Sequence, residues 1–116
     1  MDDDELLRAM LRQMLESQGY EVIDAQNGKE GMKLYRMKPA DLIITEIIMP
    51  EKEGIEVIRE LRSEFSRVKI IAMTKASTIG RNTYLLEVAK MLGAQFTFKK
   101  PFKREELLDV VRKSLA

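Results

Sequence analysis

Cysteine and histidine are both missing from this chain, and each absence closes a class of chemistry. Without cysteine there is no disulfide, thiolate metal site or thiol nucleophile. Without histidine, the usual general base and the usual zinc ligand are gone. Charge of one sign is not in surplus either: 20 Lys and Arg stand against 19 Asp and Glu, interspersed along the sequence. A nucleic-acid binder normally carries a basic surplus or stripe, so nucleic acid is not an expected partner. No apolar run approaches the ~20 residues of a membrane span, and no signal peptide precedes the first acidic residues. The expectation is a cytoplasmic module with no membrane contact. No repeat, linker or low-complexity segment divides positions 1–116, and 116 residues suffice for one domain with a sizeable core. The eight methionines suit adaptable packing more than chemistry.

What is present is organised around Asp41-Leu42-Ile43-Ile44-Thr45-Glu46-Ile47-Ile48-Met49-Pro50. A branched apolar run bounded by turn signals reads as a strand buried on both faces, as in parallel sheets. Glu46 then emerges at the strand's carboxyl end, where open α/β sheets bind ligands; the plainer alternative is that it merely starts a polar loop.

In chain order, Asp2-Asp3-Asp4-Glu5 precede a helix carrying Leu6, Leu7, Met10, Leu11, Met14 and Leu15, with Gly19 as its stop. Carboxylates there suit the helix dipole. Tyr20 to Ala25 reads as a short strand with Asn27-Gly28 as the turn behind it, and Lys29 to Met37 as a helix ended by Pro39. The loop Ile47 to Gly54 leads to a helix with Ile55, Ile58, Leu61 and Phe65. Val68 to Met73 reads as a second buried strand ending at Thr74. A loop with Ser77, Thr78 and Gly80 precedes a helix holding Tyr84, Leu85, Val88, Ala89 and Leu92, stopped by Gly93. Phe96 to Phe98 reads as a strand, Lys100-Pro101 as a break, and Arg104 to Ser114 as a closing helix. Alternating strands and helices predict a parallel α/β sheet.

Glu46, Thr74 and Lys100 thus sit just beyond three successive strands and converge at one sheet edge. With Asp2-Asp3-Asp4-Glu5-Leu6-Leu7-Arg8, Ile70-Ile71-Ala72-Met73-Thr74 and Lys99-Lys100-Pro101-Phe102, the chain strongly resembles the receiver domain of two-component response regulators, similar to the chemotaxis response regulator. The resemblance covers essentially all of it and implies a flavodoxin-like α/β fold, a parallel sheet with helices on both faces. It further implies a non-enzymatic signalling module in a phosphorelay. The partners it implies are a histidine kinase or phosphotransfer protein upstream and a protein target downstream. By the same resemblance the phosphoacceptor position is Glu46, the Mg²⁺ ligands are Asp2, Asp3, Glu46 and the Ile48 carbonyl, the switch residues are Thr74 and Thr97, and Lys100 pairs with the phosphoryl group. The Lys100-Pro101 bond is typically cis in the family. Phosphoryl transfer needs charge neutralisation rather than a general base, so these residue types suffice.

Four departures stand out. Glu46 replaces the family's Asp, and one extra methylene displaces the carboxylate by about 1.5 Å, enough to cost ~100-fold in catalysis. Inert pairing with Lys100, constitutive mimicry of the phosphorylated state and residual phosphorylation all stay open. The apolar first strand that should precede the acidic pair is absent, leaving only Met1. Losing four or five buried side chains at ~1.5–3 kcal/mol each rivals the ~5–15 kcal/mol that holds such a domain together. The expectations are a sheet of four strands closed over the gap, or a strand-swapped or rearranged sheet. Exposed or exchanged strands invite a homodimer. Asp2 and Asp3 are expected on a fraying terminus with a weakened grip on Mg²⁺. Thr97 stands where the family has its switch aromatic, with Phe96 and Phe98 alternating to the other face, and Lys75 stands where a small residue is usual.

A face near Tyr84, Thr97 and Phe102 is the expected partner surface. The competing readings are an engineered or truncated receiver fragment without signalling activity, a flavodoxin-like cofactor binder, whose phosphate loop would here be acidic and repel flavin phosphate, and an aspartyl phosphatase, which would need Asp at position 46.

Overall fold

Ile43, Ile70, Ile71 and Ala72 are all almost wholly shielded from solvent, as expected of strands covered on both sides. They belong to β1 (Leu42–Glu46) and β2 (Lys69–Lys75), which pair in parallel with Ile44 opposite Ile71. β3 (Phe96–Lys100) adds to the far side of β2 in parallel, so the order is β1-β2-β3. The computed structural model describes residues 1–49, 54–65, 67–75 and 81–116. Five helices complete it: α1 (Glu5–Glu16), α2 (Gly28–Met37), α3 (Gly54–Glu64), α4 (Arg81–Met91) and α5 (Arg104–Leu115).

Alternation along the strands sorts the core into two halves. Ile43, Ile70 and Ala72 point toward α2, α3 and α4, meeting Met32, Val57, Ile58, Leu61 and Leu86. Ile71 and Met73 point the other way, toward Leu11, Met14 and Leu15 of α1 and Leu107, Leu108 and Val111 of α5. The result is the three-layered flavodoxin-like arrangement. Local signals set the helix ends: Asp4 accepts from the Leu7 N–H at the start of α1, and Asn27 accepts from the Glu30 N–H at the start of α2, each satisfying an orphan donor. After α1 the chain turns through Gly19 at φ 88°, and after α4 through Gly93 at φ 118°, left-handed conformations that favour glycine.

The strand count differs from expectation. Among the described residues the sheet has three strands, not four, because 20–25 forms no ladder. The gap beside β1 has not closed over. Only its carboxyl end is filled, by Met1 and Asp2. The Met1 amine donates to the Ile44 carbonyl at 2.7 Å, the Glu46 N–H donates to the Met1 carbonyl at 2.9 Å, and the Asp2 N–H donates to the Ala25 carbonyl at 3.1 Å. Donation to residue 44 and acceptance from residue 46 places Met1 opposite Thr45 in a parallel pairing. Residues 20–24 lack such a neighbour, and a strand without a partner along its length has no ladder to join. The Met1 side chain seats on α2, where a Cβ on Gly31 would lie 2.5 Å from the Met1 Sδ. Burial pushes the Met1 amine down to about 6, against the pull of the Asp2 and Asp24 charges.

Candidate functional site

The carboxyl ends of the strands carry the polar cluster. β1 ends on Glu46, whereas Thr74 and Lys100 lie within β2 and β3 rather than just past them. Gly54 closes the floor: its N–H donates to the Ile47 carbonyl at 2.7 Å. A Cβ there would stand 2.2 Å from the Glu46 carbonyl oxygen, so any larger residue would push α3 off the end of β1. The Lys100-Pro101 peptide is cis.

Glu46 and Thr74 are both buried, and Glu46 Oε1 accepts a hydrogen bond from Thr74 Oγ1 at 3.2 Å. Lys100 Nζ stands between two carboxylates, 2.8 Å from Asp2 Oδ2 and 3.1 Å from Glu46 Oε2. The first is an aligned hydrogen bond; the second is a charge contact only, and Glu46 Oε2 has no aligned donor. Burial raises the Glu46 carboxyl above the ordinary glutamate range, with the nearby Asp2 charge adding to the rise and Lys100 and Thr74 opposing it. Burial acts to lower Lys100, yet the Asp2 hydrogen bond and the Glu46 and Asp2 charges outweigh it, and its net shift is upward. Asp2 is thus the ammonium's hydrogen-bonded partner, and the Glu46 carboxyl is easier to protonate than an ordinary glutamate.

Asp2 is not at a fraying end. It is 1% exposed, its Oδ1 accepts from the Asp4 N–H at 2.9 Å, and the Arg8 guanidinium donates to its carbonyl at 3.0 Å. Two backbone pairings of Met1 and one of Asp2 hold it inside, and the ammonium of a residue 98 positions away in sequence meets its charge. Asp3 is exposed, as is Ile48. Thr97 is half-buried, while Phe96 and Phe98 pack on the opposite, α1/α5 side. Tyr84 is exposed and Phe102 half-buried, with the Phe102 ring 5.8 Å from that of Phe98. Pro50, Ser77, Thr78, Gly80 and the Lys75 side chain lie outside the described residues. The family resemblance implied a metal-binding role for Asp2; its pairing with Lys100 was foreseeable only from both being assigned to one sheet edge.

Comparison with known proteins decides what this cluster belongs to. Residues 1–112 match the model of the response regulator receiver domain. The chain belongs to that family. It is 34% identical over 112 residues to the response regulator MprA of Mycolicibacterium vanbaalenii, covering 97% of this chain and 47% of that one. It is 29% identical over 116 residues to the chemotaxis protein CheY of Bacillus subtilis, covering 99% and 93%. The chain therefore spans about half the length of MprA and nearly all of CheY. Among solved structures, response regulator TrrA of Thermotoga maritima in complex with Mg(2+)-BeF superposes with a TM-score of 0.82 at 33% identity, covering 98% of this chain and 94% of that one. The expected receiver fold is borne out, and two-component signalling is the setting. Among the described residues no helix is long and apolar enough to cross a membrane.

Receiver domains as a class bind Mg²⁺. The described residues of this chain do not fit it as they stand. No three acidic side chains converge among them, and both Asp2 oxygens are engaged, one by Asp4 and one by Lys100. Glu46 Oε2, the one carboxylate oxygen without an aligned donor, faces the ammonium.

Proposed function

We propose that this chain is a receiver module in which Glu46 replaces phosphorylation with a permanent internal contact, so that it signals through protein contacts without gaining a phosphoryl group. The single observation behind this reading is the pair of contacts from one carboxylate, Oε1 to Thr74 at 3.2 Å and Oε2 to Lys100 at 3.1 Å. A hydroxyl and an ammonium that elsewhere in the family serve a phosphoryl group are here engaged by the side chain itself. The longer side chain makes this reach possible, and it turns one carboxylate oxygen to the hydroxyl and the other to the ammonium. A kinase or phosphotransfer protein then docks without transferring, and a downstream protein reads a fixed state. Mg²⁺ binds weakly, since it must displace Lys100 from Asp2.

Incubation with acetyl phosphate and Mg²⁺ tests this. The intact mass of the chain stays unchanged, and a phosphoryl adduct on the unaltered protein contradicts the proposal. Inert pairing is separated from mimicry by partner binding: if Glu46→Gln binds a response-regulator target as well as the parent does, Glu46 switches nothing.

A further inference from the structure

The cations around Asp2 are matched against different acids. The Arg8 guanidinium, 3.0 Å from the Asp2 carbonyl, has Asp24 Oδ1 at 3.7 Å, and Arg12 holds Asp24 Oδ2 at 2.9 Å. Lys100 instead faces the two interior carboxylates, Asp2 Oδ2 at 2.8 Å and Glu46 Oε2 at 3.1 Å. Those side chains are 2% and 6% exposed and that of Lys100 is 11% exposed, so solvent screens their charges little. Strand alternation aims the ammonium. Phe96 and Phe98 pack on the α1/α5 side, and Lys100, two residues beyond Phe98, faces the same way, toward Asp2 just ahead of α1.

A hard divalent ion between these carboxylates would need the two oxygens that the ammonium already holds. Mg²⁺ takes oxygens at about 2.0–2.1 Å, so an ion on Asp2 Oδ2 would stand within about 5 Å of Nζ, itself 2.8 Å from that oxygen. Two like charges that close in a buried site disfavour each other. Asp2 Oδ1 is turned to the Asp4 N–H, and Asp3 is exposed. A second observation points to what would follow if the ammonium were withdrawn. Glu46 Oε2 is buried without an aligned hydrogen-bond donor, so its lone pairs are met by charge alone. With Lys100 gone, that oxygen and Asp2 Oδ2 are left facing one empty position, the beginning of a two-carboxylate cation site.

We propose that Lys100 is the resident cation of this site: a tethered ammonium neutralises the carboxylates that a divalent ion would need, and the cluster stays assembled without metal. Folding has already ordered the ammonium, so it competes at a high effective concentration. The inference rests on the Glu46–Lys100 contact behind the proposed function and extends it from the phosphoryl group to the metal. A neutral residue at position 100 turns the same two oxygens into a site for a hard divalent cation such as Mg²⁺ or Mn²⁺.

The parent chain and Lys100→Met are titrated with Mn²⁺ alone, followed by water-proton relaxation and by paramagnetic broadening of backbone amides. The parent is expected to show no saturable site in the millimolar range and no broadening at Thr74. Lys100→Met binds one Mn²⁺ roughly tenfold or more tightly than the parent, with Thr74 broadened. Ions held loosely by the exposed Asp3 and Glu5 broaden their own neighbourhood equally in both chains. Mg²⁺ raises the urea midpoint of the variant and leaves that of the parent in place, because a ligand stabilises only the fold that binds it. Lys100→Gln, which keeps a donor to Asp2 without the charge, repeats the test should the Met variant fail to fold. A parent that binds Mn²⁺ at Thr74 as tightly as the neutral variants, or folded neutral variants that gain no site, would overturn the proposal. No phosphoryl donor is present, so either failure leaves the intact-mass test of the proposed function standing.

Discussion

The two ends of the gap beside β1 have been treated differently. At the carboxyl end, two residues and three backbone hydrogen bonds bring Asp2 inside, and Lys100, Glu46 and Thr74 close around it. At the amino end, the same two edges border a cavity, and among the described residues 20–24 joins no ladder. A short stub therefore suffices to organise a charged site, because a few directional contacts at close range define it. A sheet needs continuous pairing along its length, and a stub cannot supply that.

The contrast predicts its largest effect at the charged end. Lys100→Met leaves the Asp2 and Glu46 carboxylates buried and facing each other; removing one partner of a buried pair costs about 3–5 kcal/mol, read as a fall in the urea midpoint at pH 7. The loss shrinks at pH 4, where Glu46 takes up a proton. If Lys100→Met is neutral at pH 7, the cluster does not hold this end together.

Core truncations sharpen the other half. Leu61→Ala, in the filled part of the core, costs about 2–5 kcal/mol, because a new cavity opens. Leu15→Ala borders a cavity that already exists and should fall at or below the bottom of that range. Equal losses in denaturant unfolding would mean that the cavity is closed in solution.

A smaller loss follows from Thr74→Val, which deletes the donor to Glu46 Oε1; hydrogen bonds to charged groups contribute about 1.5–3 kcal/mol. The smallest effect is a slope. The folded-state value for Glu46 lies above the ordinary 4.5, so the folded chain holds the Glu46 proton over a range where the unfolded chain has released it. The Glu46 contribution to stability is present below about 4.5 and lost as pH rises through its folded-state value. Glu46→Gln removes that decline, and an unchanged slope in thermal melts across this range would contradict the burial.

The three strands and five helices of the described residues were largely legible from the sequence, because apolar runs such as Ile43-Ile44 and Ile70-Ile71 and the spacing of Leu11, Met14 and Leu15 encode burial locally. Residues 20–25 were not. Their alternation is strand-like, but a strand exists only if a neighbour pairs with it, and no local pattern reports that neighbour. Asp2 was misjudged for the same reason: an acidic residue beside a terminus is ordinarily solvated, and its counter-ion lies at the far end of the chain. Gly54 read as the end of a loop; its need to lack a Cβ arises from the Glu46 backbone it abuts and is visible only in three dimensions.

The state of Glu46 itself decides most directly between an occupied and an open site. A carboxyl-carbon NMR titration of Glu46 in the parent chain and in Lys100→Met should give a value above 4.5 in the parent and a higher one in the variant, since Lys100 is the main group holding it down. A Glu46 that titrates in the ordinary range and does not respond to loss of Lys100 would show a solvated side chain, free of the contacts that the proposed signalling state requires.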